Sequence, residues 1–179
     1  MKKCFMYLNI ITLAIIICLT VACQDKSELE KFQKQQAIQE QNKEIVRNLF
    51  SFIHKNDFEK LKVLFADNFT LESAGLNQPW KQEDLFQDIR TSYTSLPDYT
   101  HNVEDIIAEG DRLMVRTKGQ GTFKSQYQGI QPTGKPVNET VVSIITIANG
   151  KVKNWWVISD NLATMLQMGM ELKPAKGKK

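Results

Sequence analysis

The fold is decided by the stretch from Val137 to Ile158, which reads VNETVVSIITIANGKVKNWWVI. Two runs rich in β-branched and aromatic residues, which favour strands, flank the dipeptide Asn149-Gly150. Asn-Gly between two strand-like runs is the strongest short-range hairpin signal, because both positions tolerate positive φ. The stretch therefore predicts an antiparallel hairpin with strands at Val137–Ala148 and Lys151–Ile158.

A second pair of strand-like runs precedes this hairpin. Tyr99–Ala108 and Leu113–Phe123 are separated by Glu109-Gly110-Asp111, whose glycine suits a tight turn. Four consecutive strands joined by short turns predict an antiparallel sheet.

Apolar residues recur at helical spacing before these strands and again after them. Three stripes in the first half predict three helices, with one short strand at Phe69–Glu72 between the second and the third helix. A final short helix from Asp160 to Met168 would stop at Gly169. The three stripes are Ile45, Val46, Leu49, Phe50 and Ile53; Phe58, Leu61, Leu64 and Phe65; and Leu85, Phe86, Ile89 and Tyr93.

Two local signals set the ends of these helices. Asn56-Asp57-Phe58-Glu59 has the pattern of a capping box, with Asn56 as the N-cap and Glu59 at N3. The third helix would end near Leu96-Pro97, since the residue before proline disfavours helix. The complete order is helix, helix, strand, helix, four strands, helix. It predicts an α+β fold in which helices cover one face of an antiparallel sheet.

The N-terminus has the parts of an export signal. Lys2 and Lys3 precede an apolar run from Cys4 to Ala22, and the chain turns polar directly after Cys23. The cysteine at this junction resembles that of a bacterial lipoprotein signal, which implies that Cys23 becomes the diacylated first residue of the mature protein. The alternative is an uncleaved anchor helix, because the run is close to the roughly 20 residues that span a bilayer. Both interpretations predict an exported protein on the periplasmic or cell-surface side of a membrane.

Composition narrows the partners and the chemistry of the remaining chain. Residues 24–179 hold 21 basic and 20 acidic residues, so no nucleic-acid partner is expected. All three cysteines lie at or before Cys23, which excludes a disulfide or a thiol nucleophile in the folded part. Only His54 and His101 remain as histidines, and no metal-ligand spacing or phosphate-binding loop is visible. We therefore expect neither a metal nor a cofactor.

The chain divides into four segments on composition. Residues 1–23 form the signal, and residues 24–44, with six glutamines, form a polar tether. Residues 45–170 carry the predicted helices and strands and are long enough for one domain with its own core. Residues 171–179 form a lysine-rich tail.

Two motifs in the second half resemble a known family. The loop Gly129–Val137 reads GIQPTGKPV, and the chain ends with Trp156, Asp160, Leu162, Gln167 and Gly169 at fixed spacing. Both resemble the SnoaL-like proteins, the polyketide-cyclase and ester-cyclase group of the NTF2-like superfamily. The resemblance extends from about Asn42 to Met170. It implies a cone, in which a strongly bent antiparallel sheet encloses a pocket and helices close one side.

Strand periodicity then nominates the residues of that pocket. Alternate side chains of a strand share a face, so the last strand would place four residues on one face. Asp160 follows two residues after the last of them and would point to the same side. Trp155 and Trp156 would lie on opposite faces. We expect this face to line the pocket together with the helix that contains Leu85 and Ile89. The four strand residues are Val152, Asn154, Trp156 and Ile158.

Asp160 is the candidate acid/base. In the SnoaL-type cyclases an Asp in this ending assists an intramolecular aldol ring closure, and a desolvated carboxyl has a pKa raised toward the range useful for proton transfer. An Asp between a strand and a helix is also a good N-cap, so capping alone is the alternative. Glu72 and His101 have two interpretations each, as polar pocket groups or as ordinary strand residues. Many members of the group carry His where this chain has Trp155 and Glu72.

Two functions follow from these patterns. The first is a membrane-anchored protein that binds a small, mostly apolar molecule in the cone. If it is an enzyme, it would be a cofactor-independent cyclase or isomerase that acts through Asp160. The second is a non-catalytic module in which the sheet or the rim of the cone serves homodimerisation or partner binding.

Overall fold

The computed structural model describes the backbone of residues 2–173 and the side chains of residues 26–173. The chain divides into two compact units, residues 1–40 and residues 41–179. In the first unit the described backbone is helical, and the side chains of residues 26–38 are exposed to solvent. The second unit contains the sheet and the short helices. The element bounds are α1 Lys2–His54, α2 Phe58–Leu64, β1 Phe65–Ser73, α3 Gln82–Ser95, β2 Thr100–Glu109, β3 Arg112–Thr122, β4 Pro136–Ala148, β5 Lys151–Ser159 and α4 Asn161–Met168.

This order confirms the predicted α+β fold. The five strands form one sheet in the order β1-β5-β4-β3-β2, and β2 to β5 are an antiparallel meander. Asn149 and Gly150 adopt φ values of 52° and 72°, as the predicted hairpin turn requires. The predicted short strand Phe69–Glu72 lies within the longer β1, which pairs in parallel with β5. Phe65, predicted as helical, is the first residue of that strand.

Helices cover one face of the sheet, which is called the inner face below, and the opposite face is the outer face. The predicted stripe of α1 is buried there, with Val46 and Leu49 fully excluded from solvent. Burial of such side chains contributes roughly 1.5–3 kcal/mol each before entropy is counted. The other members of this core are Phe50, Ile53, Leu61, Phe65, Phe69, Leu71, Leu85, Phe86, Ile89, Leu113, Val115, Ile145, Ile147, Val152 and Trp155.

One helix cap differs from its prediction. The N-cap of α2 is Asp57, whose Oδ1 accepts a hydrogen bond from Lys60 N at 3.2 Å. Asn56 has a φ of 53° and its N–H donates to the carbonyl of Ile53, so Asn56 ends α1. The prediction of Asn56 as N-cap is therefore wrong by one residue, because the reversal between the two helices uses the left-handed conformation that asparagine tolerates.

The last helix ends as predicted. Gly169 has a φ of 107°, and its N–H donates to the carbonyl of Leu166. The side chain of Gln167 donates to and accepts from the backbone of Asn138, beyond the point where β5 stops pairing with β4. This amide therefore replaces a neighbouring strand and fixes α4 against β4.

The predicted lipidation site Cys23 and the apolar run before it lie outside the described side chains. From residue 26 to residue 173, no helix is long and apolar enough to cross a membrane.

Candidate functional site

A β-bulge in β5 changes the predicted faces of that strand. Thr146 pairs with Asn154, but the next residue of β4, Ile147, pairs with Val152, so Lys153 is an extra residue. Val152 is fully buried on the inner face, whereas Trp156 and Ile158 are exposed on the outer face. The prediction that Val152, Asn154, Trp156 and Ile158 share one face is wrong, because one inserted residue reverses the alternation.

The two adjacent tryptophans do lie on opposite faces, as predicted. Trp155 is 5% exposed and packs edge-on against Phe50 of α1, with ring centroids 5.6 Å apart. Trp156 is 39% exposed on the outer face. The inner residue is therefore part of the core, and the outer residue is free to meet another molecule.

Asp160 caps the last helix in an exposed position. Its Oδ1 accepts a hydrogen bond from Ala163 N at 2.9 Å. Leu85 and Ile89, which were expected to face it across a pocket, are buried in the core beneath the inner face. The predicted wall formed by Trp156 and Asp160 together with this helix is not present, because the bulge places Trp156 on the other side of the sheet.

His101 lies on the inner face in a mostly apolar setting. Its Nε2 is 2.7 Å from the hydroxyl of Thr117, and its ring packs edge-on against Phe50 at 5.1 Å. Burial lowers the pKa of His101 to about 4, and His54 adds to the reduction. The imidazole is therefore neutral at physiological pH.

A carboxyl group that the sequence analysis did not nominate lies near this histidine. Glu139 of β4 and His101 of β2 are each in register with Gly119 of β3, one on either side. The hydroxyl of Tyr99 crosses over Gly119 and donates a hydrogen bond to Glu139 Oε1. A Cβ atom at Gly119 would collide with this phenol, at 2.7 Å from its Cζ. The missing side chain therefore provides the path by which Tyr99 reaches Glu139.

Asp88 of α3 joins the group electrostatically. Burial raises the pKa of its carboxyl to about 6, and the charge of Glu139 adds to the rise. Burial also raises the pKa of Tyr99, with Glu139 as the next cause, and it raises the pKa of Tyr93 to about 12. The Tyr93 hydroxyl is buried and has no hydrogen-bond partner among the described residues. The acid–tyrosine cluster is defined here as Asp88, Tyr93, Tyr99, His101 and Glu139.

The sequence did contain signals for this cluster. Glu139 lies in β4 between Val137 and Val141, which are buried on the same face, and a carboxylate among inward-facing apolar residues is unusual. Gly119 and Gly121 interrupt β3, and glycine inside a strand marks close approach of another group. Asp88 gives the weakest signal, because its burial depends on how α3 packs.

On the outer face, three of the nominated residues line one depression of about 190 Å³. They are Glu72, Asn154 and Trp156. Glu72 is exposed and in register with Trp156, while Ile158 is exposed one pleat further along β5. The nominated residues therefore separate into an outer set and an inner pair, Val152 and His101. Between residues 26 and 173, no group of three His, Cys, Asp or Glu side chains could hold a metal ion.

Comparison with known proteins matches this architecture to one family. The family model described as SnoaL-like polyketide cyclase matches residues 43–168, which is the sheet with its helices. The chain belongs to the SnoaL-like polyketide cyclase family. Among curated proteins, no relative matches significantly.

Solved structures show the same fold for this SnoaL-like domain. A SnoaL-like protein of Jannaschia sp. CCS1 is 23% identical with a TM-score of 0.68, over 75% of this chain and 96% of that chain. IdmH of Streptomyces antibioticus is 25% identical with a TM-score of 0.66, over 72% and 99%. AclR of Streptomyces galilaeus is 20% identical with a TM-score of 0.67, over 73% and 97%. The predicted SnoaL-like cone is confirmed.

Proposed function

We propose that the domain binds a small, mostly apolar molecule at the acid–tyrosine cluster and moves a proton on it. The observation that carries the proposal is the half-buried carboxyl of Asp88, whose pKa responds to the charge of Glu139, together with the hydrogen bond from Tyr99 to Glu139. A carboxyl with a pKa near 6 is matched to proton transfer near neutral pH. Because AclR and IdmH are named for different activities, hydroxylation and cyclisation, the proposal depends on this cluster and not on the fold.

The cluster suits a cofactor-independent cyclase or isomerase. Ionised Asp88 would accept a proton from a carbon next to a carbonyl group. The Tyr93 hydroxyl, which has no hydrogen-bond partner among the described residues, would donate to the oxygen on which negative charge develops. Return of the proton to another carbon isomerises the molecule. Attack of the same carbanion on a second carbonyl closes a ring, provided that the apolar surroundings fold the substrate on itself.

A slow proton-exchange reaction tests this proposal without knowledge of the substrate. The full-length chain is incubated in D₂O with cyclohexanone, and loss of the α-proton signal is followed by NMR. We expect exchange above the buffer rate, with an activity that rises through pH 6 as Asp88 ionises. Asp88→Asn should lower the protein-dependent rate by about 10²–10⁴-fold.

Asp160→Asn is the matched control, since it changes a second carboxylate to the same amide on the exposed helix cap. It should leave the rate unchanged. A rate that falls in Asp160→Asn and not in Asp88→Asn would return the acid/base role to Asp160, as the family resemblance implies. Exchange at the buffer rate at every pH would contradict acid/base chemistry altogether.

The stability of Asp88→Asn gives an independent check of the site. The pKa of Asp88 in the folded state is raised above its ordinary value of 3.8, so the stability that this carboxyl contributes is present below pH 4 and lost as the pH rises through 6. Asp88→Asn should therefore be more stable than the parent above pH 6, by up to about 3 kcal/mol. Equal urea denaturation midpoints for both proteins at pH 5 and pH 8 would show that Asp88 is not desolvated.

A non-catalytic module is the second candidate, and the outer face favours it. Ile107, Met114, Ile144 and Trp156 are in register across four strands and form an apolar row. Arg112 lies beside this row on β3 and Glu72 lies at its end, whereas Arg116 is ion-paired with Glu104. A two-fold axis that brings Arg112 of one copy to Glu72 of the other would pair opposite charges. Sedimentation equilibrium of the full chain would show a concentration-dependent dimer that Met114→Lys dissociates.

We also propose that Cys23 anchors the protein in a membrane. The support is the sequence pattern alone, in which two lysines, an apolar run and small residues precede the cysteine. Mass spectrometry of the protein from its native membrane should find Cys23 as an acylated N-terminal residue, and Cys23→Ser should carry no lipid. An unmodified Cys23 would contradict the proposal.

A further inference from the structure

Two rows of side chains lie next to each other on the outer face. The polar row consists of Arg112, Thr146, Asn154 and Thr70, each in register with the next across β3, β4, β5 and β1. The second row, one pleat away, is the apolar row, which passes from Ile144 to Trp156 and ends at Glu72. A molecule seated between the rows would therefore meet carbon on one side and hydrogen-bonding groups on the other.

The depression of about 190 Å³ lies where these rows meet. At about 30 Å³ for each liquid water, it has room for about six water molecules, which is the space of one six-membered ring. The depression lies next to irregularities in two neighbouring strands. β5 bulges at Lys153, and the register of β1 against β5 shifts between Phe65 and Thr70. The bulge also turns Asn154 and Trp156 outward.

The charges of the lining select a neutral ligand. Arg112 and Glu72 contribute one positive and one negative group, so the lining as a whole gives no net attraction to a ligand with a net charge of either sign. A purely apolar ligand would bury both groups without a partner, which is unfavourable. The suitable molecule is neutral, carries several hydrogen-bonding groups and has an apolar face.

We propose that this depression binds a single neutral sugar ring. The C–H face of the sugar packs against the exposed face of Trp156 and against Ile144, and its hydroxyl groups bond to the polar row and to Glu72. Arginine offers five N–H donors, and a carboxylate accepts from two neighbouring hydroxyls. Such a site is independent of the acid–tyrosine cluster, which lies on the opposite face of the sheet.

Part of the site is already held in place. Asn154 Nδ2 donates a hydrogen bond to Thr70 Oγ1 at 2.7 Å, which fixes the amide across β5 and β1. This bond uses one of the two N–H donors, so the amide has a second N–H and a carbonyl oxygen to offer a ligand. Such preorganisation lowers the entropic cost of binding.

NMR titration of the full-length chain, in a detergent without a sugar headgroup, tests the proposal. Glucose, galactose, mannose and N-acetylglucosamine are added separately, and the indole N–H signals of the tryptophans are followed. At least one sugar should shift the Trp156 signal saturably, with a dissociation constant on the order of 1–10 mM. Cyclohexanol, a ring of the same size with a single hydroxyl, should give no saturable shift at the same concentrations.

Matched variants locate the site. Because Trp156→Ala also removes the indole signal, the side-chain amide signals of Asn154, which lines the same depression, report binding in this variant and in the parent. Trp156→Ala should abolish their saturable shift, and Thr146→Val, which removes a hydroxyl at nearly constant volume, should weaken the response several-fold. Trp80→Phe and Asp88→Asn should bind as the parent does. The proposal is overturned if no sugar gives a saturable shift, if cyclohexanol binds better than every sugar, or if Trp156→Ala keeps the response. It is also overturned if the Trp156 signal moves with protein concentration alone, which would show a second copy on this face.

Discussion

Trp155 and Trp156 are neighbours in sequence, yet they belong to two different chemical environments. On the inner face, helices cover Trp155 and exclude water from it. Burial on this side of the sheet also shifts the pKa values of Asp88, Tyr99 and His101. The outer face exposes Trp156 between a polar and an apolar row. Enclosure therefore tunes titratable groups on one side, and exposure leaves a surface for recognition on the other.

The difference between the faces depends on one residue. Without the bulge at Lys153, strict alternation would place Val152 and Trp156 on the same face, as the sequence predicted. The extra residue places Val152 and Trp155 together in the core. Bulges often reorient side chains next to functional sites. This one directs Val152 and Trp155 into the core and Asn154 and Trp156 toward the depression on the outer face.

The largest expected effect comes from truncation of the two tryptophans. Trp155→Ala removes a buried ring that packs against Phe50 and should lower the free energy of unfolding by about 3–5 kcal/mol. Trp156→Ala removes a half-exposed ring and should cost less than about 1 kcal/mol. Urea denaturation of both variants measures the difference. Equal losses would mean that the outer face is as enclosed as the inner face.

A smaller effect should follow from adding a methyl group at Gly119. The new Cβ would collide with Tyr99, so Gly119→Ala should lower the free energy of unfolding by about 1–3 kcal/mol. Gly75→Ala is the control, because a Cβ there meets no atom within 4 Å. In a protein that already carries Tyr99→Ala, the further change Gly119→Ala should cost little stability, because the phenol that the Cβ would strike is absent. A smaller cost there than in the parent shows that the two residues are coupled through this contact. Independent effects would separate Gly119 from the path of Tyr99.

The smallest effect concerns Asp160 at the exposed N-cap of α4. Asp160→Ala removes the acceptor for Ala163 N and should cost about 1 kcal/mol, whereas Asp160→Asn should be nearly neutral because Asn caps equally well. Thermal melting of both variants measures this. A loss in Asp160→Asn as large as in Asp160→Ala would show that the charge, and not the cap, stabilises α4.

The family resemblance in the sequence correctly predicted the fold. It pointed to Asp160 and Trp156, however, and neither belongs to the buried titratable groups of the inner face. Asp160 was nominated because it follows β5 in a family motif, and the structure places it on an exposed cap. Asp88 and Glu139 were overlooked because their proximity joins α3 to β4 across about 50 residues, which no local pattern reports. His101 was nominated, yet its neutral state depends on Phe50 and Thr117, which come from two other elements.

The elements, their order, the hairpin at Asn149-Gly150 and the end of α4 at Gly169 could all be predicted, because each depends on the conformational preferences of a few neighbouring residues. The parallel pairing of β1 with β5, the bulge at Lys153 and the electrostatic coupling of Asp88 to Tyr99 and Glu139 became visible only in the folded chain. Those features depend on distant segments that compete for the same space, and the outcome is set by packing of the whole core. The pKa values and the recognition surface follow from that packing, because burial, and not residue type alone, decides how a side chain behaves.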